Sequence, residues 1–468
     1  MLPSNLKYQN KLESAYARSY TTHIQPQNGM SGYKKGQTIM INIPTSPNQV
    51  MASTESVLKF DLTVTNGGTA SAYARLDKCG AHGIIQRLRV IHGSNTIEDL
   101  DNYGNIVSQL TALQKSSGCN GKDSILQGFS SDKFCDVQDG TNTTTKKNQV
   151  MPIIAGERLH DDGAANEFEA IEAYDATVGG SGKTKTRTYC INLLSIVGSL
   201  SEKYLPLFAM TGAPLRLELQ LVSDPAKFCC SEKTMTDFTV DNVEFVAQMM
   251  ELGDSAMSVV NSSVGNAPLQ WVVPQYRNYV GNFVVGTGPT QVSLPIPAKF
   301  NSLKSLFLTL RTKSEGADTF FPHASCMHSL SEYTLRLGSK VIPSKAPANA
   351  SEMFVELLKS IGSVSDINHE CMIDLKNYQV PISVANAENA VCIKETSSSS
   401  SFMVGVDLET YSNSDKSAIY AGWNSSTEDI FFQLAFSGLA GATSVRSDTY
   451  ALLDAVIVCE NGVASVRY

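Results

Sequence analysis

One pattern in this chain is written twice. From Ile84 to Gln114 the residues read IIQRLRVIHGSNTIEDLDNYGNIVSQLTALQ. Ile85, Arg87, Arg89 and Ile91 alternate with Leu88 and Val90, the period of a strand. His92-Gly93-Ser94-Asn95 is a turn cluster and Thr96-Ile97 resumes the extended pattern, which predicts a hairpin. Beyond Tyr103 the period changes: Ile106, Leu110 and Leu113 recur at helical spacing, with Asp101 or Asn102 as the expected N-cap. From Tyr333 to Gly362 the succession returns, with a Gly-Ser turn at Gly338-Ser339 and a helix carrying Met353, Leu357 and Leu358. Gly338 follows Gly93 by 245 positions (338 − 93), and the same offset sets Asn105 on Ala350 and Leu113 on Leu358. A hairpin followed by a helix cannot bury its own apolar face, so each copy requires a surrounding domain of its own.

The flanking segments extend the duplication. In the first half, Thr38–Ile43 (TIMINI) and Val57–Thr65 (VLKFDLTVT) precede the hairpin, and Leu215–Leu221 and Phe238–Glu251 come late. In the second, VSLPI from Val292 and LKSLFLTLRT from Leu303 take the early places. IFFQLAF from Ile430 and the Tyr450–Cys459 stretch take the late ones. With 468 residues the chain is long enough for two cores, and Ser, Thr, Asn and Gly outweigh long helical runs. The expectation is an all-β protein of two tandem antiparallel jelly-roll barrels, with a short helix in each and long loop insertions. Residues 1–36 read as an N-terminal arm, 37–252 as the first barrel, 253–267 as a linker and 268–468 as the second barrel. A Gly-rich insertion over about 116–186 interrupts the first barrel.

Composition excludes several functions. Charged residues make up 18% and the net charge is −8, without a Lys/Arg block, so little direct nucleic-acid binding is expected. The arm carries Lys7, Lys11, Arg18, Lys34 and Lys35 against Glu13, a solvated basic segment. Neither an apolar stretch long enough to span a membrane nor an apolar signal-peptide core is present, which predicts a protein made in the cytosol and not secreted. The ten cysteines form no C-x-x-C pair and replace apolar residues in strand-like runs, as Cys190 and Cys459 do; they read as buried reduced thiols.

Motifs that suggest chemistry lack their context. Gly179–Thr184 (GGSGKT) resembles a phosphate loop, but Thr177 stands where the pattern needs glycine and a β-like segment follows instead of a helix. His323 and His328 lack a matching carboxylate, so they read as surface or turn residues, and His92 as a turn residue. His160-Asp161-Asp162 and the Glu167–Glu172 stretch meet only part of a calcium pattern. No catalytic, cofactor-binding or metal-ligating residue is assigned, no cofactor is expected, and the chain reads as a non-enzyme.

The VLKFDLTVT strand, then RLDKCGAHGIIQRLRVIHGSNTIEDLDNYG and the helix, resembles the first barrel of double jelly-roll major capsid proteins. The nearest resemblance is to those of polinton-like and virophage-like small eukaryotic DNA viruses. Tyr204-Leu205-Pro206-Leu207-Phe208 with Ala213–Leu221 is similar to the Leu-Pro-Leu region of the same lineage. That resemblance implies a homotrimer whose six barrels form a pseudo-hexameric capsomer of an icosahedral shell, located in the virion. The implied partners are neighbouring capsomers, penton proteins and minor capsid proteins; contact with an internal membrane is left open. The alternative is a β-sandwich receptor- or glycan-binding spike, which would display aromatic platforms such as Trp271 or Trp423.

Overall fold

A computed structural model describes residues 17–66, 74–76, 79–115, 125–128, 134–136, 150–152, 184–200, 203–231, 235–264, 267–312, 323, 325–364, 366, 368–373, 375–379, 401–410, 421–439 and 441–468. The first barrel contains β1 (Ala17–Ile24), β2 (Thr38–Ile43), β3 (Gln49–Asn66), β4 (Ile85–His92), β5 (Asn95–Asp101), β6 (Thr184–Ile191), β7 (Leu215–Leu221) and β8 (Met235–Leu252). The second contains β9 (Leu269–Val285), β10 (Thr290–Ile296), β11 (Leu303–Thr312), β12 (Leu330–Leu337), β13 (Lys340–Ile342), β14 (Val404–Asp407), β15 (Ile430–Phe436) and β16 (Thr443–Glu460); β17 (Val463–Arg467) folds back on β16. The sheets of the first barrel run β1-β8-β3-β6 and β2-β7-β4-β5, and those of the second run β9-β16-β11-β14 and β10-β15-β12-β13. Adding eight to each first-barrel strand gives its counterpart in the second. All of these pairings are antiparallel, and the fold is the double jelly roll expected from the alternating strands.

The alternation decides what faces inward. On β3, Leu58, Phe60, Leu62 and Val64 are buried against the facing sheet, and on β11 Leu306, Leu308 and Leu310 do the same. Each such side chain removed from water contributes about 1.5–3 kcal/mol. Gly93 and Gly338 turn the equivalent hairpins with φ of +60° and +54°, a conformation that carries little strain without a Cβ. The 245-residue offset holds for the hairpins (330 − 85). It does not hold for the helices α1 (Tyr103–Gln114) and α3 (Ala350–Ser360), whose N-cap residues Asn102 and Asn349 stand 247 apart (349 − 102). Ile106 and Leu110 therefore correspond to Met353 and Leu357, all four buried, while Leu358 is only half-buried. Two additional residues between β13 and α3 displace the expected pairing of Leu113 with Leu358.

Two segments differ from the sequence-based reading. Ala17–Ile24, assigned to the arm, is an edge strand paired with β8 from Ala17 opposite Leu252 to Ile24 opposite Phe245. Its side chains are mostly exposed, so it lacks the apolar alternation by which strands are recognised. Asp254–Val264, assigned to the linker, is helix α2. Gly253 and Gly265 flank this helix without interrupting it, and Asp254 lies in its first turn, where a carboxylate favours the helix dipole. Residues 1–16 of the arm and most of the 116–186 insertion lie outside the described residues. Among the described residues, no helix is long and apolar enough to cross a membrane.

Candidate functional site at the barrel junction

The most elaborate polar arrangement lies where the barrels meet. The tip of the β4–β5 hairpin meets the β16–β17 hairpin. His92 Nδ1 accepts the Ala464 amide at 3.1 Å, and its Nε2 faces the Met210 and Ala213 carbonyls at 3.0 and 2.9 Å. That arrangement places the ring proton on Nε2. Asn95 Nδ2 donates to the Ala464 carbonyl at 3.0 Å, and the Gly212 amide donates to Gly462 O at 2.9 Å. His92 is thus completely buried, and the turn-residue reading is corrected: it ties the hairpin of one barrel to the last strand of the other.

Along the edge of β5 the free carbonyls are taken by the second barrel. Gln275 Nε2 donates to Ile97 O at 3.0 Å, Tyr468 OH donates to the same oxygen at 3.3 Å, and Arg277 Nη1 donates to Asp99 O at 3.2 Å. The Arg277 guanidinium also lies over the Tyr468 ring, 4.9 Å from its centre. This cover satisfies a strand edge that would otherwise invite pairing with another chain.

The start of α1 supplies the third contact. Asn102 has φ of +49° and caps nothing with its side chain; Nδ2 instead donates to Asp448 Oδ1 at 3.1 Å. Asn102 thus holds the expected N-cap position without capping through its side chain: Oδ1, the atom that could accept a helix amide, takes the Gln86 Nε2 donor at 2.8 Å, and Nδ2 is committed across the junction. Asn105 Nδ2 donates to Thr309 Oγ1 and Tyr450 OH at 3.2 and 3.0 Å, and Gln109 Nε2 donates to His323 O at 3.1 Å. Asp448 is fully buried; Arg311 donates to its Oδ2 from Nε and Nη2 at 2.9 and 2.6 Å, and Arg446 Nη2 reaches Oδ1 at 3.2 Å. A buried carboxylate survives only when paired and hydrogen-bonded in this way.

Glu98 on β5 is a buried carboxyl of this region with a perturbed titration. Desolvation raises its carboxyl to about 7, against the opposing effect of hydrogen bonds from Ser195 Oγ at 2.5 Å and Ile196 N at 3.1 Å and of the Arg277 charge.

The remaining candidates take structural places. His323 and His328 lie in turns but are buried, which corrects their surface assignment; burial pushes His328 down to about 4. Thr184 opens strand β6 rather than a helix, and Gly179–Lys183, His160-Asp161-Asp162 and Glu167–Glu172 lie outside the described residues. Cys79, Cys326 and Cys459 are buried, with burial raising the Cys459 thiol to about 12, whereas Cys190 and Cys371 are only partly buried. Among the described residues, no group of three His, Cys, Asp or Glu is gathered as a metal site. The junction residues escaped sequence reasoning because Asn102, Asn105, Gln109 and Asp448 belong to no motif; the repeat itself, which requires two barrels to meet, was the available signal.

Two jelly rolls in one chain, joined by a buried polar junction, define a double jelly-roll protein. Solved structures with the same fold are viral capsid structures. PBCV-1 VP54 fitted into a reconstruction of the virophage Sputnik is 10% identical, with a TM-score of 0.59, covering 99% of this chain and 100% of that one. The Sputnik virophage structure gives 10% identity and a TM-score of 0.57 over 100% of this chain and 92% of that one. The mavirus major capsid protein gives 9% and 0.55 over 100% and 94%. Likeness at this identity extends to the fold. No family model and no curated protein matches the chain.

Proposed function

We propose that this protein is a structural major capsid protein whose homotrimer forms a pseudo-hexameric tile of an icosahedral virus shell. The observation carrying this reading is the cis junction within a duplicated fold. One barrel presents its β4–β5 hairpin and α1, and the other receives them with β9, β11, β16 and β17. The two contacting surfaces differ, so the contact is head-to-tail, and head-to-tail contacts between like units generate rings when the rotation closes. Three chains supply six barrels. Full-length likeness of fold to virophage and PBCV-1 capsid structures supports the same reading.

The protein then resides in the virion, with neighbouring capsomers, penton proteins and minor capsid proteins as partners and no catalytic role. Its net charge of −8 assigns genome packing mainly to other components. A glycan-binding spike finds less support. Trp271 is buried, and Trp423 is half-buried with Lys340 Nζ 4.2 Å above its ring and its Nε1 donating to Glu428, so neither presents an open platform. Light scattering on a size-exclusion column tests the proposal. A trimer that persists on dilution is expected, and a stable monomer would overturn it.

A further inference from the structure

The barrel junction holds a pocket of about 40 Å³ whose walls come from both barrels: Gly104, Asn105 and Lys227 from the first, Arg311 and His323 from the second. That volume accommodates about three waters, or one tetrahedral oxyanion of similar bulk. The wall is closely built where the barrels meet. A Cβ on Gly104 would stand 3.0 Å from His323 Cε1, and one on Gly83 would stand 3.2 Å from His323 Nε2 and 2.9 Å from Cys79 Sγ. The imidazole of the second barrel is thus seated directly on the backbone of the first.

Charge and hydrogen bonding set what fits this space. Lys227 and Arg311 are half-buried in its lining, and no carboxylate lines it among the described residues. Asp448, outside the lining, is shared by Arg311 and Arg446, one carboxylate against two guanidinia. Gly104 is the second residue of α1, so the positive end of that helix dipole lies at the pocket as well. Asn105 adds a second requirement. It is 2% exposed, and its Nδ2 donates to Thr309 Oγ1 and Tyr450 OH. Those hydroxyls donate onward to the Asp448 and Asn102 carbonyls, which fixes the orientation of the amide. Its Oδ1 is then a buried acceptor with no partner in the protein, and it calls for a donor. A metal cation is repelled by Lys227 and Arg311, chloride brings no donor, and water leaves the positive lining uncompensated. An anion that carries a proton meets both demands.

We propose that the junction pocket binds a protonated oxyanion of the phosphate class, with Lys227 and Arg311 holding its charged oxygens and Asn105 Oδ1 accepting its hydroxyl. Phosphate near neutrality keeps an O–H in either of its ionised forms, whereas sulfate keeps none. A phosphodiester keeps none either, which excludes a nucleic-acid backbone as the occupant. Bound there, the ion ties Lys227 of one barrel to Arg311 of the other and stabilises their union by mass action. The pocket lies within a single chain, so its occupancy does not depend on the trimer.

The test titrates the full chain calorimetrically with sodium phosphate, sodium sulfate and sodium chloride at matched ionic strength. Phosphate should bind saturably, sulfate about tenfold more weakly or worse, and chloride not at all. The thermal unfolding midpoint should rise with phosphate and not with sulfate. Lys227→Gln should weaken phosphate binding about tenfold, and Lys227→Glu should abolish it. Both alter a half-buried side chain, so far-UV circular dichroism should match the wild type. Glycerol phosphate distinguishes the source: binding as tight as that of phosphate would identify a monoester as the occupant of the same pocket, and no binding would identify the free ion. Absence of phosphate binding would overturn the proposal. So would equal binding of phosphate and sulfate, which marks an adventitious ion only, or phosphate binding unchanged in Lys227→Gln. If Lys227→Glu loses its folded spectrum, Lys227→Gln and the wild-type comparison of phosphate with sulfate decide.

Discussion

Helices α1 and α3 occupy equivalent places in the two barrels and are built on opposite terms. In α1 nine of twelve residues are buried, including the polar Asn105, Ser108 and Gln109, and no side chain caps its N-terminus. In α3 only Ala350, Met353, Leu357 and Ser360 are buried. Its N-terminus is closed reciprocally: Asn349 Oδ1 accepts the Glu352 amide at 2.9 Å and Glu352 Oε2 accepts the Ala348 amide at 2.9 Å. These two bonds, the second reaching one residue beyond the usual capping box to Ala348, stabilise a helix with a free face. At corresponding positions α1 carries amides, Asn105 and Gln109, where α3 carries carboxylates, Glu352 and Glu356. The amides reach the second barrel, whereas the carboxylates serve the helix itself, Glu356 pairing with Lys359 at 2.6 Å. A helix enclosed by a second barrel thus obtains its polar partners from that barrel, and an open one obtains them locally.

The largest expected effect breaks both helices alike. Leu110→Asp and Leu357→Asp each bury a charge among apolar neighbours and should cost about 4 kcal/mol or more in denaturant unfolding. Leu358→Asp should be far milder, since Leu358 is half-buried, and an equal loss would mean that the two-residue displacement of α3 is misplaced. Next, Asp448→Asn removes the charge shared by Arg311, Arg446 and Asn102 at the start of α1 and should cost about 3 kcal/mol, measured the same way. No such site exists for α3 among its described contacts.

The third effect depends on pH. The carboxyl of Glu98 is raised from its ordinary 4.5 to about 7, so the folded state binds the proton more tightly than the unfolded one. Its contribution favours folding most below about pH 4.5, and stability falls as pH rises towards 7, by at most about 3 kcal/mol. Glu98→Gln should flatten the unfolding midpoint across that window; an unchanged slope would show that another group is responsible. The smallest effect sharpens the comparison. Asn349→Ala should lower stability by about 1 kcal/mol through loss of the α3 cap. Asn102→Ala should instead act through the junction, so its effect should shrink when Asp448→Asn is already present.

Much of this architecture was legible in the residues. Alternation located β3, β4, β7, β11, β12 and β15 because one face of each must be apolar, and Gly93 and Gly338 marked turns that favour a residue without a Cβ. Helical spacing located α1 and α3, and the order of these features revealed two barrels. Strand β1 was not legible because an exposed edge needs no apolar face, and α2 was not because a helix held by Met257 leaves little periodicity. The burial of His92, the commitment of Asn102 to Asp448 and the contrast between α1 and α3 required the tertiary structure. These depend on contacts between residues far apart in the chain, 346 positions in the case of Asn102 and Asp448. Local sequence determines which face of an element seeks cover, because the period of the backbone is local. What provides that cover, and which polar groups must then find partners there, is decided only when the two barrels meet and exclude water between them.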